Sequence, residues 1–196
     1  MPRGKTTSET DGRRLRSQRS REAIMNAIDA LTREGILVPT AQQVSDRAGI
    51  GIRTVFRLFD DMENLYYEMD QRNRQYYELL FIGGDRSGTL EQRIRKAINR
   101  RSDGFDKTLR NYESTKAQLW KYESLRKTYA RNQRGLRLDL ENWLPEVKSL
   151  PRDRREAVDA ITSGEMWHRL RDHQGLGVKL SKDIIIGMVS NILLPQ

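Results

Sequence analysis

Residues 40–59 read Thr-Ala-Gln-Gln-Val-Ser-Asp-Arg-Ala-Gly-Ile-Gly-Ile-Arg-Thr-Val-Phe-Arg-Leu-Phe. Thr40 is a good helix N-cap, because its hydroxyl can accept from a backbone N–H that has no partner inside the helix, and Gln43 three residues on completes a capping-box pair. The short helix that follows carries Ala41, Val44 and Ala48 on one face. Gly49-Ile50-Gly51 then interrupts it, and Gly49 supplies the positive φ that a tight interhelical turn requires. A second short helix begins near Ile52, with Ile52, Val55 and Phe59 inward and Arg53, Thr54 and Arg57 outward. Two helices joined by a short turn containing glycine make a helix-turn-helix.

Outward from this stretch the pattern stays helical. On the N-terminal side, Ile24, Ala27, Ile28 and Leu31 recur at steps of three and four, predicting a helix from about Arg19 that ends at Gly35, with Pro39 forbidding continuation. Residues 1–17 are polar and aperiodic and read as a flexible basic arm. On the C-terminal side a helix starts near Asp61 and carries Leu65, Met69, Tyr76 and Leu80 to Gly83-Gly84. Leu90, Ile94, Ile98, Phe105 and Leu109 mark another, expected to break or kink at Gly104. Leu125, Tyr129, Asn132, Leu136, Leu140 and Trp143 mark a long helix stopped by Pro145. Pro151 suits the first turn of a helix to about Asp172, and Ser181 is placed to cap a last one, Lys182 to Leu194. No segment alternates with period two. The expectation is an all-α chain of about nine helices: the arm at 1–17, a helix-turn-helix DNA-binding domain at 18–60, and a helical ligand-binding and dimerisation domain at 61–196.

The chain has 196 residues and a formal net charge of +9. Residues 1–59 hold 11 Lys and Arg against 6 Asp and Glu, of 36 and 27 in the whole chain, so over half the positive excess falls in under a third of the length. Such a distribution fits a phosphate-binding surface, and equally a basic solvated face. Cysteine is absent, which excludes disulfides, thiolate metal sites and cysteine nucleophiles. No stretch approaches the roughly 20 apolar residues of a membrane span. The opening Met-Pro-Arg-Gly-Lys-Thr-Thr-Ser has no apolar core after it, so a cytoplasmic location is expected.

The second short helix suits a major groove, which admits one helix. Arg53 can reach a guanine edge bidentately, Thr54 a phosphate or a thymine methyl, and Arg57 either. Thr40, at a helix start, offers a hydroxyl and free N–H groups to a phosphate. Two helices and a glycine turn also occur in proteins that never touch DNA, so a helical adaptor that binds only protein stays open. The outward Arg53, Thr54 and Arg57 discriminate, because an adaptor has no need of them.

The stretch Arg21–Leu65 resembles the TetR family of transcriptional regulators in Thr40, Ala48, Gly49, Thr54, Val55, Phe56, Arg57, Phe59 and Leu65. Three positions depart from the family pattern: Phe56 stands where Tyr is usual, Met62 where a phosphate-contacting Lys is usual, and Gly51 where a polar residue is common. Arginines 13, 14, 16, 19 and 21 could offset those losses on phosphates or in the minor groove. The resemblance implies DNA binding by Thr40, Gly51, Arg53, Thr54, Phe56 and Arg57, with Arg13, Arg14 and Arg16 from the arm. It also implies a homodimer on a palindromic operator. The family's last two long helices form its dimer interface, which here matches Pro151–Asp172 and Lys182–Leu194, with Ile161, Gly164, His168, Ile185, Met188, Val189 and Ile192 as candidates. Between about Leu65 and Trp143 the resemblance implies a site for a small, lipophilic effector, with candidate lining residues Tyr76, Phe105, Tyr112, Trp120, Tyr129, Trp143 and Trp167, although aromatics at helical spacing are more often core. Arg101 and Asn132, polar on apolar stripes, join them. A buried Arg101 needs an anionic partner, either a ligand carboxylate or a protein Asp or Glu, unless its side chain turns to solvent.

Catalysis finds no support in the chain. There is no phosphate-cradling GxxxxGK loop, no HExxH and no nucleophile elbow, and no cofactor is implied. The two histidines, His168 and His173, stand five apart, about 140° around an α-helix, so no shared metal is expected. The function expected is a ligand-responsive repressor that occludes its operator.

Overall fold

The computed structural model describes the backbone of residues 7–194 and the side chains of residues 11–194. Among the described residues the regular elements are all helical: α1 Thr7–Arg33, α2 Ala41–Ala48, α3 Ile52–Phe59, α4 Met62–Phe81, α5 Leu90–Gln118, α6 Glu123–Trp143, α7 Arg152–Ile161, α8 Gly164–His168 and α9 Val178–Leu193. A 3₁₀ turn spans Pro145–Ser149 and a π turn spans Arg169–His173. No helix among them is long and apolar enough to cross a membrane.

Four features differ from the sequence expectation. Helix α1 begins at Thr7 rather than near Arg19, so the stretch read as an arm is helical from Thr7 onward, and its first six residues lie outside the described ones. Arg13, Arg14, Arg16 and Arg19 are exposed on it, and no apolar stripe marks residues 11–20 as helical. Helix α5 runs unbroken through Gly104. That glycine serves close packing, since a Cβ there would stand 2.5 Å from the Phe81 ring. The single helix expected from Pro151 to Asp172 is divided at Thr162-Ser163, where the Ser163 hydroxyl accepts from Met166 N at 3.2 Å and starts α8. Helix α9 likewise starts at Val178, and Ser181 is buried inside it with its hydroxyl donating to Gly177 O.

The chain divides into two compact units. Unit 1 takes in the described residues up to Arg72 together with Glu113–Arg126, and unit 2 takes in Asn73–Tyr112 and the chain from Lys127. In unit 1, Ile24, Ile28, Val44, Val55, Phe59 and Leu65 are all under 2 % exposed. Burying side chains of this size contributes about 1.5–3 kcal/mol each before conformational entropy is subtracted. The core of unit 2 gathers Ile94, Ile98, Leu140, Leu144, Val158, Trp167, Ile185 and Val189.

The 113–126 segment belongs with the helix-turn-helix through polar as well as apolar contacts. The hydroxyl of the buried Ser114 donates to Leu37 O at 2.7 Å, and the buried Gln118 amide donates to the Ser114 carbonyl at 3.1 Å. Ser124 N donates to Glu63 Oε1 at 2.7 Å, and Tyr122 packs on Tyr66 with ring centroids 5.6 Å apart.

Candidate functional site

Local chemistry fixes the helix-turn-helix closely. Thr40 Oγ1 accepts from Gln43 N at 3.2 Å while Gln43 Oε1 accepts from Thr40 N at 2.9 Å, the reciprocal pairing expected from the sequence. Gly49 ends α2 at φ 64°, ψ 29°. The turn is then pinned by the buried Ser45, whose hydroxyl donates to Ile50 O at 2.7 Å. Val55, Leu58 and Phe59 are buried, which aims the opposite side of α3 at solvent. Arg53, Phe56 and Arg57 are exposed there, Thr54 is half-buried, and Gly51 and Thr40 are exposed at the starts of α3 and α2. The exposed set therefore offers two guanidinium groups, one aromatic ring and two helix starts on a surface with no acidic residue between Arg47 and Phe59.

Arg21 belongs to the scaffold and is withdrawn from the phosphate-contacting candidates. Its guanidinium donates to both oxygens of Glu68 at 2.5 Å and to Leu58 O at 2.6 Å, and lies 4.8 Å from the centre of the Phe59 ring. These bonds tie α1 and α4 to the C-terminal end of α3. Further along α4, Arg72 ties that helix to α1, pairing with Asp29 and donating to Asn26 Oδ1 at 2.9 Å. Immediately after α3, Asp60 takes φ 61°, ψ −56°, and Asp61 N donates to Phe59 O at 2.6 Å. This γ-turn of the rarer hand costs an L-residue about 1–2 kcal/mol. It lets Asp61 turn at once into the cap of α4, its carboxylate accepting from Asn64 N at 2.8 Å.

The residues named as effector candidates do not form one group. Trp120 lies in unit 1, in the α5–α6 connection, 80 % exposed, with its ring N–H donating to Ala117 O. Tyr76 is half exposed and Asn132 faces solvent, so neither lines an interior. Trp143 and Trp167 are core side chains. What unit 2 does assemble is an aromatic group around α8. Tyr112 lies 6.4 Å from Tyr129 and 6.2 Å from His168 between ring centroids, and a Cβ on the buried Gly164 would meet Phe105 at 3.2 Å and Tyr112 at 3.3 Å. The Tyr129 hydroxyl bonds to the Glu165 carboxylate. Burial, followed by that carboxylate, pushes both phenols well above the usual tyrosine range, so both stay protonated near neutral pH.

Arg101 is buried, at 3 % exposure, rather than turned to solvent, and among the described residues its direct hydrogen-bond partners are carbonyl oxygens. Its Nε donates to Thr162 O at 3.1 Å and its Nη1 to Leu136 O at 2.8 Å. Desolvation pulls it down to about 10, against the opposing pull of Asp159 and Asp139, so it remains a cation at neutral pH. The carbonyls come from the α7–α8 break and from α6, which makes the guanidinium a bolt between helices of unit 2.

Of the dimer candidates, Ile161, Gly164, Ile185 and Val189 are buried within unit 2 itself. The outer side of α9 instead leaves Leu180 51 % and Met188 37 % exposed, with Ile184 and Ile192 half-buried in the same i, i+4 row. His168 is half-buried, and its distance from His173 is not what an α-helix dictates. The two rings lie 4.8 Å apart between centroids. The backbone from Arg169 to His173 is a π turn, with Gln174 N donating to Arg169 O at 3.0 Å, so residues five apart are neighbours. The inference from spacing that these histidines cannot share a metal is therefore corrected.

The fold is shared with two solved structures from Rhodococcus. One is a transcriptional regulator from Rhodococcus sp. Rha1, 16% identical, with a TM-score of 0.63 over 91% of this chain and 99% of that one. The other, described as a TetR-family transcriptional regulator, is 13% identical, with a TM-score of 0.60 over 90% of this chain and 99% of that one. At such identities the likeness is one of fold, over 90–91% of this chain. No protein-family model and no curated protein matches the chain.

Proposed function

We propose that this chain is a transcriptional regulator that binds a palindromic operator as a homodimer through α3 and carries no catalytic activity. One observation carries the reading: α3 buries Val55, Leu58 and Phe59 and leaves Arg53, Phe56 and Arg57 exposed beside two helix N-termini. Arg53 and Arg57 read base edges or hold phosphates, Thr54 reaches a phosphate or a thymine methyl, and Thr40 and Gly51 bring backbone N–H groups to the phosphates. Phe56, lacking a hydroxyl, packs on sugar or on a thymine methyl. The exposed arginines of α1, among them Arg13, Arg14 and Arg16, add sequence-independent attraction. Two copies pair through the outer row of α9, Leu180–Ile184–Met188–Ile192. A small molecule that engages the Tyr112–Tyr129–Glu165 group then shifts DNA affinity by its differential affinity for two conformers, as repression relieved by an effector requires.

The test is a titration of the protein against DNA fragments flanking its own gene, at several salt concentrations. Specific binding exceeds binding to random DNA on the order of 10³-fold or more. R53A costs about 1–3 kcal/mol and relaxes specificity at one base position, whereas R13A/R14A lowers affinity uniformly and flattens the salt slope by about one unit for each phosphate left without its arginine. Equal, purely salt-driven binding to every fragment refutes operator recognition, and no binding at low salt favours the protein-binding adaptor.

A further inference from the structure

We propose that His168, Asp172 and His173 bind a borderline divalent transition-metal ion, of which Zn²⁺ is the type. These are the only two histidines in the chain, and a carboxylate joins them. One ligand atom from each side chain lies within 4.8 Å of the others. Around a tetrahedral ion at 2.0–2.1 Å from each donor, donor atoms stand about 3.3 Å apart. The widest gap must therefore close by about 1.5 Å, within the reach of side-chain rotation alone, and Asp172 and His173 are exposed and can turn.

The backbone already holds the arrangement. In an α-helix His173 would point about 140° away from His168. The extra residue of the π turn removes that angle, and Trp167 and Leu170, both buried, anchor the turn from its inner side. The charge of the adjacent Arg171 is already engaged: its guanidinium donates to Asp106 Oδ1 at 3.1 Å and to the Leu176 carbonyl, and rests 5.9 Å from the Trp167 ring. His168 in turn lies against Tyr112 with the two ring planes tilted by 49°. Two imidazoles and one carboxylate suit Zn²⁺, Co²⁺, Ni²⁺ or Cu²⁺ and not the oxygen-seeking Mg²⁺ or Ca²⁺. Three protein donors leave at least one coordination position for water or an external ligand. The proposal concerns metal binding alone and is independent of the DNA reading.

The test uses the untagged, chelator-stripped full chain, titrated with ZnCl₂ by calorimetry and, in parallel, with CoCl₂ by visible absorption. Saturable binding of one Zn²⁺ per chain is expected, with Co²⁺ giving the intense d–d bands of a tetrahedral or five-coordinate nitrogen–oxygen site. H173Q and D172N, both at exposed positions, should weaken binding at least tenfold while leaving the far-UV spectrum unchanged, and H168Q/H173Q should abolish it. Absence of saturable Zn²⁺ binding overturns the proposal, as does binding by H173Q and H168Q/H173Q equal to that of the parent chain. Neither result bears on operator binding, which is measured separately with chelator present.

Discussion

Replacing Gly104 by alanine separates helix propensity from packing in one experiment. In a solvated helix interior, Gly→Ala stabilises by about 0.8–1 kcal/mol. Gly135 in α6 meets that condition, because a Cβ there has nothing within 4 Å, and G135A is the reference variant. At Gly104 the new Cβ would stand 2.5, 2.8 and 2.9 Å from three Phe81 ring atoms. The ring can yield only by leaving Phe105, on which it packs at 5.0 Å between centroids. Overpacking of this kind costs about 1–3 kcal/mol, so G104A should be less stable than G135A by that amount. For a chain of this length, a 2 kcal/mol separation is about 4–8 °C in Tm. Urea unfolding followed by tryptophan fluorescence reads the right unit, because Trp143 and Trp167 are both buried in unit 2. The double variant F81L/G104A, with the ring removed, should recover most of the difference relative to F81L alone. If G104A is as stabilising as G135A, the close approach of α5 to Phe81 is wrong.

Three further outcomes follow from single residues. D60G relieves the positive φ between α3 and α4 and should raise stability by on the order of 1 kcal/mol after the entropy that glycine adds to the unfolded chain; a loss in thermal unfolding would assign the Asp60 side chain a role of its own. T40A removes the acceptor for Gln43 N and should cost about 1 kcal/mol, whereas T40S keeps it; equal melting temperatures for T40A and T40S would contradict the capping box. The Arg93 guanidinium, bonded to Glu146 at 2.5 and 3.1 Å, holds that carboxyl below its usual 4.5. A depressed carboxyl contributes stability above its unfolded value and loses it as pH falls through the folded one. E146Q should therefore flatten the stability loss that the parent shows below about pH 4.5, and acid unfolding curves that remain parallel would remove this pair from the acid limb.

How much was legible in the sequence follows from the range over which each signal acts. The helix-turn-helix was readable nearly to the residue because its determinants are local: Thr40 with Gln43 three residues on, Gly49 at positive φ, and the inward Val55 and Phe59. The all-helical class was readable for the same reason, since a stripe at steps of three and four is a property of one segment. Long-range contacts were not. Nothing near Trp120 announces that residues 113–126 pack beneath the helix-turn-helix, a placement made by Ser114 and Gln118 against Leu37, far away in sequence. Gly104 and Gly164 look like helix breakers or dimer contacts until Phe81, Phe105 and Tyr112 are seen against them. Arg21 looks like a phosphate ligand until Glu68 and the Leu58 carbonyl take its guanidinium. The two histidines are the sharpest case. Their spacing excludes a shared ion on an α-helix, and the one-residue widening at Arg169–His173 brings them together. Local propensity and periodicity determined most of the helical segments and which face of α3 meets solvent. Tertiary structure decided which charges are already spent on other helices, which glycines are packing seats and which side chains come together, because those outcomes depend on partners that no local window contains.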